Sequence, residues 1–235
     1  MHKTSILLSC ALLSGLATMQ SATAQHLQAV GVAGSFNINQ TWAKQRELTL
    51  GSTTILTYTD NARQDDTGNR ISAYARVGIG QGTFFVQPEV GYTKVLGNQY
   101  EVQFPRGTFY YAPWIRRLEV GALAGYHVTE KFYVVAGPVV ARHEREKAIS
   151  SSTESWVAAY NSLYASPERV QLLGQVGIGV QLWRFDVGAR YEGSLTPYTR
   201  QLRFDNKLYA FRQNTTQYIV QVGFLLFDHN RSWTK

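Results

Sequence analysis

Cysteine is all but missing from this 235-residue chain, and the single example, Cys10, lies in a stretch with the marks of an export signal. A mature product without thiols excludes a disulfide framework, a Cys-ligated metal and a Cys nucleophile. Long apolar runs are missing too. Beyond the N-terminus the longest, Tyr133 to Ala141 (YVVAGPVVA), is far too short for a membrane helix but has the length of a membrane strand. Histidine is sparse. His143-Glu144-Arg145-Glu146 lacks the second His of the zinc-protease helix motif, and His26, His127 and His229 stand apart from it in the sequence. No Gly-rich phosphate loop is present, because the glycines fall mainly in strand-like runs. No metal, no cofactor and no nucleic-acid partner is expected.

What the N-terminus does have is a signal-peptide pattern. Lys3 supplies the basic start, Ile6 to Ala17 the apolar core, and Ala22-Thr23-Ala24 the small-x-small cleavage site. The expected organisation is a signal peptide over 1–24 and one domain over 25–235. Leu7-Leu8-Ser9-Cys10 has a faint likeness to a lipoprotein signal, but cleavage there would leave almost no apolar core. Loss of Lys3 with the signal takes the 23 basic residues to 22 against 16 acidic ones, a net charge of +6. A mildly basic exported protein suits anionic lipid or polysaccharide surroundings.

Period-2 alternation dominates the rest. The clearest case is Gln217 to Phe227, where Tyr218, Val220, Val222, Phe224 and Leu226 share one face. The same pattern predicts strands near 27–39, 69–79, 83–95, 114–127, 169–182 and 185–197. An eighth, near 132–145, has a mixed pattern with no assignable faces. The connections alternate long and short, with Gly80-Gln81-Gly82 and Trp183-Arg184 as tight turns. Eight antiparallel strands with every second connection long predict an all-β fold: an eight-stranded transmembrane β-barrel with short periplasmic turns and long external loops. A soluble barrel would alternate as well. Three features favour a membrane. The polar faces are poor in Lys and rich in Gly and Gln. Aromatic residues (Phe84 and Tyr92, Trp114 and Tyr126, Phe185 and Tyr191, Tyr218 and Phe224) sit near strand ends on the apolar face, as interfacial girdles do. The loop lengths are strongly asymmetric. Pro88 and Pro138 fall inside strands of a barrel that has no edge, which predicts a bulge at each.

Gln87-Pro88-Glu89-Val90-Gly91-Tyr92, Leu118-Glu119-Val120-Gly121, Phe132 to Pro138 (FYVVAGP), Gly177-Ile178-Gly179 and Asp186-Val187-Gly188-Ala189-Arg190-Tyr191 resemble the outer-membrane β-barrel family of Bacteroidetes type, the PorT-like proteins. The resemblance covers most of the mature chain. It implies that both prolines are normal for the fold and that the protein is an accessory to envelope assembly or secretion, and it brings no catalytic residue with it.

If the apolar faces meet lipid, Arg70, Arg76, Arg117 and Arg190 face a narrow lumen together with Glu89, Glu119, Asp186 and Glu192. Side chains can fill an eight-stranded interior, so these groups should pair into a structural plug. The long connections carry further signals. Thr53 to Thr59 is strand-like. Gln99 to Phe104 with Thr108 to Trp114, and Arg200 to Phe204 with Leu208 to Phe211, read as hairpins continuing the barrel wall. Ser151-Ser152-Thr153-Glu154 resembles a capping box before Trp156, Tyr160 and Leu163 at helical spacing. Arg200, Arg203, Lys207 and Arg212 are candidate contacts for lipopolysaccharide phosphates.

The expected location is the outer membrane of a Gram-negative envelope. The expected partners are its lipid and lipopolysaccharide, the barrel-assembly machinery and an envelope protein. Gln221 to Leu226 resembles the C-terminal signal read by that machinery, although eight residues follow Phe227. The expected function is structural or interactive rather than enzymatic. Two alternatives are a narrow channel for small solutes and a lipid-modifying or proteolytic barrel enzyme using His143 at the external rim.

Overall fold

Alternating side chains on neighbouring strands can bury only one face, and a sheet without edges must close on itself. The computed structural model of the chain describes residues 25–57, 67–80, 83–144 and 155–229, without the side chains of 155–156. The expected signal peptide and capping box lie outside them. In chain order the strands are β1 (His26–Ala43), β2 (Glu47–Leu50), β3 (Thr53–Thr57), β4 (Thr67–Ile79), β5 (Phe84–Leu96), β6 (Tyr100–Phe104), β7 (Gly107–Tyr111), β8 (Trp114–His127), β9 (Phe132–His143), β10 (Val170–Leu182), β11 (Phe185–Ser194), β12 (Thr199–Phe204) and β13 (Lys207–Asp228). Helix α1 (Ser155–Ala165) lies between β9 and β10.

The barrel order is β1-β4-β5-β8-β9-β10-β11-β13, and β13 pairs back onto β1 to close it. All pairings in this ring are antiparallel. The stretch Gln217 to Phe227 is indeed the closing seam, with Tyr218 opposite Ile38 and Phe224 opposite Val32. Among the described residues no helix is long and apolar enough to cross a membrane; the crossing is by strands.

The barrel is turned inside out relative to a soluble one. Phe36, Ile71, Val90, Val120, Val176, Ile178, Val220 and Val222 all point outward and exposed. On β9 the outward set runs from Phe132 to Val140, about 26 Å along the strand at ~3.3 Å per residue. Allowing for strand tilt, that fits the hydrocarbon band of an outer-membrane barrel, roughly 25 Å tall. Aromatic rings border the band at both ends. Phe84 contacts Tyr126 and Phe185 contacts Phe224 at the turn end, and Tyr191 contacts Tyr218 at the loop end. Trp183, at φ 55°, makes the two-residue turn between β10 and β11.

Neither proline produces the expected bulge. On both sides of Pro88 the β4–β5 register is unchanged (Tyr74 with Glu89, Val77 with Val86), and the same holds around Pro138 between β8 and β9. Each proline interrupts its ladder over two residue pairs, and the flanking pairs hold the register. Both face outward. Within the barrel ring the register shifts fall in β1 instead, between Leu27 and Ala29 against β4 and between Val30 and Gly31 against β13.

The external loops are folded, and differently from expectation. The hairpin β6–β7 does not extend the barrel wall. It joins the first-loop hairpin in a separate sheet of order β2-β3-β6-β7, through Ile55 opposite Val102. The hairpin β12–β13 does extend the wall, since β13 is continuous from lipid to loop. These pieces and α1 bury a common apolar core of Leu50, Ile55, Tyr100, Val102, Ala159, Leu163, Leu202 and Phe211. The result is a small dome above the barrel mouth.

Candidate functional site

Odd or even position along each strand decides which side chains enter the lumen. All eight charged residues expected there are buried within it, Arg117, Glu119 and Glu192 each at 1 % exposure. They do more than pair. Arg70 bridges Glu89 at 3.1 Å and Glu119 at 2.9 Å. Glu119 meets Arg117 at 2.5 Å, and Arg117 contacts Glu192. Glu192 accepts a hydrogen bond from Gln175 Nε2 at 2.7 Å, whose Oε1 accepts one from Arg190 at 3.2 Å. Arg190 then reaches Glu89 at 2.8 Å and closes the circuit. Seven side chains from β4, β5, β8, β10 and β11 form one closed ring across the lumen.

A second, deeper unit lies toward the short turns. Asp186, at the start of β11, accepts hydrogen bonds from Tyr74 Oη at 2.6 Å, Tyr133 Oη at 2.5 Å and Arg76 Nη2 at 2.5 Å. The Arg76 guanidinium sits 4.0 Å from the Tyr133 ring centroid, with Phe85 and Tyr74 each at 5.4 Å. Aromatic faces and one carboxylate thus replace the water this cation loses. The rings fit because the neighbouring strands carry glycine. A Cβ at Gly125 would come within 2.1 Å of the Phe85 ring, and one at Gly179 within 2.1 Å of Tyr133. Gln87 links the two units, accepting from Arg76 Nε and donating to Glu89, both at 2.9 Å.

Above the ring is a neutral polar layer. His143 Nε2 lies 3.1 Å from Gln171 Oε1. Gln171 Nε2 donates to Ser194 Oγ at 2.8 Å, and Ser194 Oγ donates to the Thr215 carbonyl at 2.7 Å. The Gln171 amide therefore bridges the imidazole and the Ser194 hydroxyl. Higher still, Tyr100 Oη donates to Gln213 Oε1 at 2.8 Å where barrel meets dome. Burial in the dome core pushes the Tyr100 phenol well above its ordinary value.

Period 2 reveals Gln87, Gln175 and Tyr74 as lumen-facing, but not that they connect the charges. Tyr133 was hidden because β9 is apolar on both faces: Tyr133, Val135, Val139 and Ala141 point inward and Phe132, Val134 and Val140 outward. The candidate lipopolysaccharide contacts are spread along the β12–β13 hairpin, with Arg200 across from the 211–212 step of β13. Arg200 pairs with Glu168 at 3.5 Å. Arg203 and Lys207 flank the hairpin tip at Asp205-Asn206. Arg212 lies five residues beyond Lys207 along β13, exposed. Among the described residues no group of three or more His, Cys, Asp or Glu is placed to hold a metal ion.

A closed antiparallel eight-stranded ring, apolar outside and charged within, defines a β-barrel of the outer-membrane type. No protein-family model matches the chain, and neither does any curated protein. Solved structures of like shape are the outer membrane protein OprG from Pseudomonas aeruginosa and AlkL in DMPC lipid bilayers. OprG is 11 % identical, with a TM-score of 0.46, covering 86 % of this chain and 97 % of that one. AlkL is 10 % identical, with a TM-score of 0.41, covering 90 % and 97 %. The translocator domain of the autotransporter NalP from Neisseria meningitidis follows at 12 % identity and a TM-score of 0.36, covering 94 % and 95 %. At these values they share a general barrel shape with this chain and nothing finer. The fold rests on the register and faces described above.

Proposed function

We propose that this protein is a non-enzymatic, non-conducting outer-membrane barrel with a structural or interaction role, an accessory to envelope assembly or secretion of the kind the PorT-like resemblance implies. The observation that carries this reading is the closed circuit of ion pairs across the lumen, completed by the Gln175 amide and capped by a folded dome. Ions packed this way are held by partners on four strands of the wall, and moving any one leaves its buried neighbours short of a partner. Such a lumen fixes strand register and cross-braces the wall. The dome is then the surface offered to an envelope partner. Lipid covers the outer band, the hairpin cations Arg200, Arg203, Lys207 and Arg212 face lipopolysaccharide, and the barrel-assembly machinery reads β13. On this reading His143 is a wall residue bonded to Gln171.

Conductance in a planar bilayer tests the proposal. The wild-type protein should show no steady current at moderate voltage, and Arg190→Ala with Glu89→Ala should begin to leak. A steady, cation- or anion-selective current in the wild type would replace this reading with a narrow channel.

A further inference from the structure

The ion circuit fills only part of the lumen. Its members come from β4, β5, β8, β10 and β11. β9 closes its own side with Val135, Val139 and Ala141. The remaining sector is the seam, and it is built of neutral groups. Between Gly31 and Thr41, β1 sends in Ala33, Ser35, Asn37 and Asn39. Between Gln213 and Gly223, β13 sends in Thr215, Gln217, Ile219 and Gln221. Neither strand contributes a charged side chain to the lumen over this stretch. Register sets Ser35 opposite Gln221, Asn37 opposite Ile219 and Asn39 opposite Gln217, and Ser72 of β4 opposite Ala33.

These groups do not satisfy one another. Asn37 Nδ2 donates to Gln217 Oε1 at 3.2 Å, and Asn39 Nδ2 donates to Thr41 Oγ1 at 3.2 Å and to the Leu96 carbonyl at 3.1 Å. Among the described residues, Asn37 Oδ1, Asn39 Oδ1, Gln217 Nε2, Gln221 Oε1 and the hydroxyls of Ser35 and Ser72 are buried and find no partner in the protein. Rotating the Asn37 and Gln217 amides together exchanges donor and acceptor and leaves the same surplus. Buried polar atoms are paired in native proteins, by ordered water where the protein offers nothing. Successive inward positions on β1 are about 6.6 Å apart, a gap that a serine side chain does not span. A bridging water does. The sector mixes donors and acceptors, and water serves both, whereas an ion would stand there without a counter-charge.

The sector also has a floor. Tyr74 is opposite Gly31, and a Cβ at Gly31 would come within 2.7 Å of its Oη, one at Gly223 within 2.9 Å. The phenol therefore lies across the seam where the two strands carry no side chain. Its bond to Asp186 holds it there, and it packs with Ala29, Ala33 and Leu225. We propose that a file of bound water fills the β1–β13 side of the lumen from Asn39 down to Ser35 and Gln221, and that the Tyr74 ring is its stopper. The barrel is then a half-channel for water, tight to ions and closed toward the short turns. This rests on the plugged-lumen reading and adds to it a water site and a closing residue.

The wild-type protein in phosphatidylcholine nanodiscs provides the first test. Water-to-amide magnetisation transfer, read by NMR, should be several-fold stronger at the side-chain amides of Asn37, Asn39, Gln217 and Gln221 than at those of Gln87 and Gln175. In the latter two, protein groups engage both the amide N and the amide O. Equal transfer at the two sets, or none at the first, overturns the water file. The stopper is tested by thiol labelling in a chain carrying Cys10→Ser, which has no other cysteine. Ser35→Cys should resist a small neutral methanethiosulfonate reagent. Adding Tyr74→Ala should speed its labelling many-fold, and adding Tyr74→Phe, which keeps the ring and loses the hydroxyl, should not. Rapid labelling with Tyr74 in place, or none after Tyr74→Ala, overturns the stopper. Heat-dependent gel migration shows that each variant has folded, and the NMR comparison needs no variant. A steady ion current through the wild type would overturn the plugged-lumen reading instead, so the two failures are told apart.

Discussion

The barrel lumen and the dome are two interiors of one chain, filled by opposite rules. The lumen buries four arginines and four carboxylates, and the dome buries leucine, isoleucine, valine and aromatic rings. What differs is the solvent outside. A wall facing hydrocarbon has its apolar side chains satisfied outward, so the interior is left to whichever polar groups can satisfy one another. The dome stands in water, and burial of apolar area holds it together. The lumen is thus held by specificity of pairing and the dome by quantity of buried surface, and substitutions should separate them.

The largest effect should come from Glu119→Leu, which leaves Arg70 and Arg117 each short of a partner. Breaking a buried pair this way costs about 3–5 kcal/mol, to be read as a lowered midpoint of urea unfolding in lipid vesicles. Val176→Arg, on the lipid face, should cost roughly 2–4 kcal/mol in the same assay. Thr108→Arg, on the exposed surface of the dome, should stay within about 0.5 kcal/mol. Leu202→Ala should remove about 2–3 kcal/mol from the dome, near the low end for a buried leucine, and this loss should be local. Proteolysis should then nick the external loops while heat-dependent gel migration of the barrel stays unchanged. Gly179→Ala should push the Tyr133 ring off its seat and cost about 1–3 kcal/mol. It belongs to the lumen but acts through shape, so it measures how far the charges depend on their aromatic frame.

These two interiors were unequally legible in the sequence. The lumen follows from period 2 alone, because Arg70, Arg76, Arg117 and Arg190 share strand faces with carboxylates and glutamines. Its closure into a ring was not legible, since Gln175 to Arg190 and Glu192 are contacts between strands at a height that only register fixes. On β9 the alternation vanished because the wall there is apolar on both sides. The β1 bulge leaves no local mark in the sequence around Gln28. The dome was legible in pieces: the strand-like pairs Gln99 to Phe104 with Thr108 to Trp114, and Arg200 to Phe204 with Leu208 to Phe211, announced two hairpins. That β3 would pair with β6, from a different loop, depends on the barrel bringing two distant loops together.

The length of β13 carries one more consequence. Its first residues, Lys207 to Gln213, pair with β12 in the dome, and the following ones close the barrel against β1. One strand therefore serves both seam and dome, and Leu50, Ile55 and Val102 are covered by Leu202 and Phe211, which the same β12–β13 hairpin carries. Inside and outside share one backbone, so a shift of β13 along the seam would carry Phe211 with it and disturb the crown as well as the wall.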